Sequence, residues 1–103
     1  MLPIEEYIGG MEETLDGLDE LMKGRKGERL TQLSELNAEL EDTLMLLGEI
    51  DMEDEDALEQ MAETLADIED LGDEYMRLAA DDAALESLAQ RLKTLAGTAR
   101  ANL

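Results

Sequence analysis

The sequence predicts an all-α fold, a small bundle of two helical hairpins. Three observations point there. Apolar residues recur every three or four positions along most of the 103 residues, which is the spacing of a helix face. Twenty Leu and seven Met are available for a core, with no Phe or Trp and only Tyr7 and Tyr75 as aromatics. Polar or Gly-rich interruptions at 24–27, 51–56 and 79–82 divide the chain into four segments of matched length. Residues 1–103 are read as a single all-helical domain around one core.

In the first helix, Ile4, Ile8, Met11, Leu15, Leu18 and Met22 step by four and three residues along one face. Pro3 suits its first turn. Gly9, Gly10 and Gly17 weaken it by roughly 0.5–1 kcal/mol each against Ala, so it needs tertiary contact or a partner to hold. Gly24-Arg25-Lys26-Gly27 ends it, with bases where the helix dipole favours them.

A second helix is expected from Glu28 to Gly48, with Leu30, Leu33, Leu40, Leu44 and Leu47 on one face. Asn37 falls in that stripe, where a buried Asn can fix register. The expectation is nevertheless that Leu36 turns inward and Asn37 lies at the edge. Asp51–Asp56 should hold a turn and the next N-cap, its spare acids stabilising the first helical turn.

The third helix should bury Leu58, Met61, Leu65, Ile68, Leu71 and Tyr75. Running on to the end of the chain would make it about 60 Å long at 1.5 Å per residue, twice its neighbours. A break at Ala79–Asp82 gives four matched helices, and three is the count if the last two are continuous. Asp81 or Asp82 would cap the fourth helix, whose stripe is Leu85, Leu88, Leu92, Leu95 and Ala99. Residues 11–21 and 61–71 resemble one another, as two similar hairpins would. The same stripes can be buried within one chain or between two, so a homodimer is the other arrangement the pattern allows.

The formal net charge is −20. It is concentrated: residues 51–75 hold twelve carboxylates and no Lys or Arg, whereas residues 76–103 hold three acids and four bases. Anionic lipid surfaces and nucleic-acid phosphates should repel such a chain, so neither direct nucleic-acid binding nor a membrane contact is expected. Absence of Cys excludes disulfides and thiolate chemistry, and absence of His removes the usual general base and most transition-metal sites. Residues 1–8 carry no basic start or apolar run, so no secretory signal is expected and the location by default is the cytoplasm.

Within the acidic segment Asp56, Glu59, Glu63, Asp67, Asp70 and Glu74 step by three and four along one helix face, flanked by Glu55, Glu69 and Asp73. Like charges four residues apart, five pairs in all, oppose the helix by about 1–2.5 kcal/mol together. No base relieves them before Arg77, which can pair with Asp73. A solvated face normally mixes signs. Carboxylates about 5 Å apart along a helix approximate the spacing of phosphates along a nucleic-acid strand, so a basic groove built for DNA or RNA can accept this face. The plainer explanation is solubility, or general salt adaptation, and the near-neutral last quarter of the chain weighs against the latter.

Other chemistry is thinly represented. A calcium loop starting at Asp51 fails at Asp56, where Gly is needed, and at Ala62, where Glu is needed. Glu39-x-x-Asp42 and Asp70-x-x-Asp73 place acid pairs on helix faces at a spacing suited to magnesium. These pairs resemble the paired motifs of the all-α nucleotide pyrophosphohydrolases, which are richer in Glu; three of the four positions here are Asp. That resemblance implies a magnesium-dependent phosphoanhydride hydrolase, in a chain with few bases near either pair to hold a triphosphate. Leu- and Met-rich faces also suit a small adaptor or chaperone that accepts a partner's amphipathic helix, as in secretion or assembly systems.

The expectation drawn from these residues is a non-enzymatic protein-binding protein with no metal and no cofactor. Its acidic stripe would act as an inhibitor or decoy on a basic, nucleic-acid-binding surface. Adaptor and hydrolase are the alternatives.

Overall fold

The computed structural model describes residues 4–103, so Pro3 lies outside the described residues. Four helices follow in order: α1 Ile4–Lys23, α2 Gly27–Glu49, α3 Ala57–Leu78 and α4 Ala83–Ala101. They run alternately up and down as a rod of 45 × 22 × 18 Å. Each packs on its two neighbours in the cycle, with α4 closing on α1. The expected break between the last two helices is present at Ala79–Asp82. Asp82 is the cap of α4, its Oδ1 accepting the Leu85 N–H at 3.2 Å.

The core is a Leu-rich seam completed by Met11, Met61, Ile68 and several Ala, with Tyr7 and Tyr75 as its aromatic members. Small residues set how closely the helices approach. On α4 the buried face is Leu85, Ala89, Leu92, Ala96 and Ala99. Leu88 and Leu95, expected within this stripe, lie at its edge because α1 provides seats for them there. A Cβ at Gly10 would stand 3.2 Å from Leu95, and one at Gly17 would stand 3.0 Å from Leu88. Two glycines seven residues apart thus receive two leucines seven residues apart on an antiparallel neighbour, a knobs-into-holes arrangement. Two of the three glycines that weaken α1 as an isolated helix are therefore packing sites; Gly9 has nothing within 4 Å.

Three further inward assignments change. Leu58 is 55% exposed, and Ala57 and Gly72 complete the buried face of α3 instead. The antiparallel register that brings Asp73 to Lys93 and Glu69 to Arg100 places Leu58 past the last turn of α4, which ends at Ala101. Leu30 is likewise exposed at the opposite end of the rod. On α2, Asn37 is buried at 5% exposure and Leu36 is the half-buried edge residue, the reverse of the expectation. The reason is a polar partner across the core. The Tyr75 hydroxyl donates to Asn37 Oδ1 at 2.6 Å, and Asn37 Nδ2 donates to Asp19 Oδ1 at 3.0 Å.

Backbone geometry closes the ends. Gly27 opens α2 at φ +68°, a left-handed conformation that a side chain would oppose. Arg25, in the loop before it, donates through Nε to Asp82 Oδ2 at 2.9 Å and also through its terminal nitrogen, tying the first loop to the cap of α4. Burial works to raise the Asp82 carboxyl. The Arg25 bond, the Leu85 N–H and the positive charges of Arg25 and Arg29 outweigh it and hold the carboxyl below its ordinary value. At the other end Asp56 flanks α3 without a side-chain cap bond. The turn there is organised by Asp51, whose Oδ1 accepts the Glu53 N–H at 2.9 Å.

Candidate functional site

The acid stripe occupies the outer side of α3. Asp56, Glu59, Glu63, Asp67, Asp70 and Glu74 are all exposed, and at 3.6 residues per turn their face lies roughly 140° from the buried one. Among the described residues there are five ion pairs: Lys23–Glu20, Arg25–Asp82, Arg91–Glu13, Lys93–Asp73 and Arg100–Glu69. None uses a stripe carboxylate.

Two of the flanking acids, Glu69 and Asp73, behave differently. α4 carries its bases toward the opposite flank of α3, where Lys93 Nζ sits 2.7 Å from Asp73 and Arg100 sits 2.9 Å from Glu69. The expected pairing of Arg77 with Asp73 is therefore replaced by a cross-helix one. Gly72 makes room for it: a Cβ there would collide with the Lys93 side chain. The result is a division of α3 into a neutralised flank facing α4 and an uncompensated face running toward α2.

On that second side α2 adds carboxylates that the α3 periodicity does not include. Three clefts lie in a row along the α2–α3 seam. At the loop end, a cleft of about 420 Å³ is lined by Leu46, Ile50, Thr64 and the carboxylates of Glu49, Asp51, Asp54 and Glu63. In the middle, one of about 280 Å³ lies between Thr43 and Leu71, edged by Glu39, Asp67, Asp70 and Glu74. At the far end, one of about 280 Å³ lies between Leu36 and Leu78, with Glu35, Glu74 and Arg77 at its rim. The floor repeats every seven residues on both helices. Leu36 and Thr43 on α2, and Ile50 at its C-cap, stand opposite Leu78, Leu71 and Thr64 on α3. Among the described residues, nine acids line this seam against one base.

The acid pairs suited to magnesium are separated by the fold. Glu39 and Asp70 face the middle cleft, whereas Asp73 is committed to Lys93 on the other flank. Among the described residues no group of three carboxylates is placed to hold a metal ion. No described helix is long and apolar enough to cross a membrane.

Sequence reasoning located the α3 stripe but missed the α2 half of the face, Glu35, Glu39 and Glu49. Their signal was present only as acids outside the Leu stripe of α2. Nothing in a linear pattern says which neighbour they will stand beside. No known protein family, curated protein or solved structure matches the chain.

Proposed function

We propose that this chain is a non-enzymatic, acidic protein-binding protein that occupies a basic, nucleic-acid-binding surface of a partner, as a nucleic-acid mimic. One observation carries the reading: the bundle directs its cross-helix bases to acids outside the stripe and leaves the six stripe carboxylates exposed and without an ion pair among the described residues. A row of like charges opposes its own helix. Leaving it uncompensated while Glu69 and Asp73 beside it are neutralised suits a face that meets an external cationic surface. Successive carboxylates rise about 5 Å along the helix axis, comparable to the few ångströms between phosphates of a strand.

Attraction of this kind accelerates encounter and weakens with ionic strength. The test is competition. A basic DNA-binding protein is bound to labelled DNA and titrated with this chain at low and high salt. Displacement should occur at low salt, weaken at high salt, and disappear when Glu59, Glu63, Asp67 and Asp70 are all replaced by Lys. Displacement that survives those reversals removes the stripe from the mechanism.

A further inference from the structure

The seam beside the stripe is a groove rather than a ridge, and its shape bears on what the basic partner presents. We propose that the α2–α3 groove receives a cationic amphipathic helix. This deepens the preceding reading and rests on that face meeting a basic protein.

Two features argue for a helix. The floor is built in three layers, Leu36 with Leu78, Thr43 with Leu71, and Ile50 with Thr64, at seven-residue intervals on both walls. A seven-residue period is the spacing at which a third helix can seat its apolar side chains between two others. The layers span about 21 Å along the axis, roughly four turns of an incoming helix. Thr43 is shorter than Leu71 across from it and Thr64 is shorter than Ile50, which leaves the floor low. Leu46 adds an apolar wall at the loop end and is 61% exposed.

Charge complementarity sets the chemistry of the occupant. The rims carry carboxylates on both sides, Glu39 and Glu49 on α2 and Glu63 and Asp67 on α3. A helix with an apolar stripe flanked by Lys or Arg satisfies floor and rims together. A second copy docking through the same face does not, since it would bring the same negative rims against these.

The test uses two synthetic peptides of about 21 residues, three heptads long. One has Leu at the a and d positions, Lys at e and g, and Gln and Ala elsewhere. The other has the same composition with the Leu residues scattered around the helix. Binding of each to the full chain is read by fluorescence anisotropy. The ordered peptide should bind at least about tenfold more tightly. Thr43→Trp, which fills the middle layer, should erase that preference, with circular dichroism confirming that the variant is folded. Equal binding of both peptides to the unmodified chain would overturn the groove, and loss of both in the triple variant Glu63→Lys, Asp67→Lys, Asp70→Lys would leave the stripe reading standing. Binding of neither peptide also overturns it, and the DNA competition then judges the stripe separately. A dimer of the chain in sedimentation that Thr43→Trp dissociates would give the groove to a second copy and reject the proposal.

Discussion

The Tyr75 hydroxyl and the Asn37 side chain meet inside the bundle at 2.6 Å, joining α3 to α2, and Asn37 in turn reaches Asp19 on α1 at 3.0 Å. Three helices are thereby fixed against one another by side-chain polarity, in a core otherwise dominated by Leu and small or flexible apolar residues. Leu-rich packing has many near-equal solutions. A single directional bond selects among them, as buried Asn does in coiled coils.

Removing either partner should expose this dependence. Asn37→Ala leaves the Tyr75 hydroxyl, on a residue with 0% exposure, without its acceptor. An unsatisfied buried polar group costs about 1–3 kcal/mol, and Tyr75→Phe should cost a comparable amount by orphaning the Asn37 oxygen. The double variant should be less destabilised than the sum, with a coupling of roughly 0.5–3 kcal/mol in urea denaturation. Strict additivity would mean the bond contributes no pairwise stability.

The same residue sets an alkaline limit. Burial first, then the negative charges of Asp19 and Glu39, push the Tyr75 phenol far above its ordinary value. An unfolded chain ionises its phenols near about pH 10. The folded state therefore holds a proton that the unfolded state loses. Stability from this group is fully present below about pH 10 and declines as pH rises beyond it. In absorbance titration Tyr75 should ionise only together with loss of helical circular dichroism, and Tyr75→Phe should reduce the alkaline fall in stability.

Glycine replacements should divide by what surrounds them. Gly9→Ala meets open space inside α1 and should stabilise by about 0.5–1 kcal/mol through helix propensity. Gly72→Ala drives a methyl into Lys93 and must displace it from Asp73, so it should be neutral at best and destabilising if the helices cannot part. The urea midpoint should rise for Gly9→Ala and stay level or fall for Gly72→Ala; equal gains would mean that α3 and α4 separate freely.

Relief of self-repulsion should be measurable on the stripe itself. Glu63→Gln removes two like-charge pairs, with Glu59 and Asp67, and should stabilise by about 0.4–1 kcal/mol at low salt. That gain should shrink as ionic strength rises. Glu69→Gln should show no such gain, because Glu69 is paired with Arg100 at 2.9 Å. A stability gain at 69 as large as at 63 would contradict the division of α3 into a neutralised and an uncompensated side.

Periodicity made the helices legible, because burying an apolar stripe requires three- and four-residue spacing whatever the neighbours are. The α3 acid stripe was readable for the same reason: its members lie on one helix, and local geometry alone aligns them. The linker at Ala79–Asp82 was readable from the matched helix lengths it produces. Register was not. Whether Leu36 or Asn37 turned inward depended on Tyr75 standing opposite, and whether Leu58 was covered depended on where α4 ended along α3. The partners of Asp73 and Glu69 came from α4, and the acids of α2 joined the stripe only because α2 lies beside α3. Local sequence thus determined the helices and the charge each one carries. The tertiary packing decided which charges were cancelled and which were left facing outward, because ion pairing and burial act between helices and depend on distances that no single helix contains.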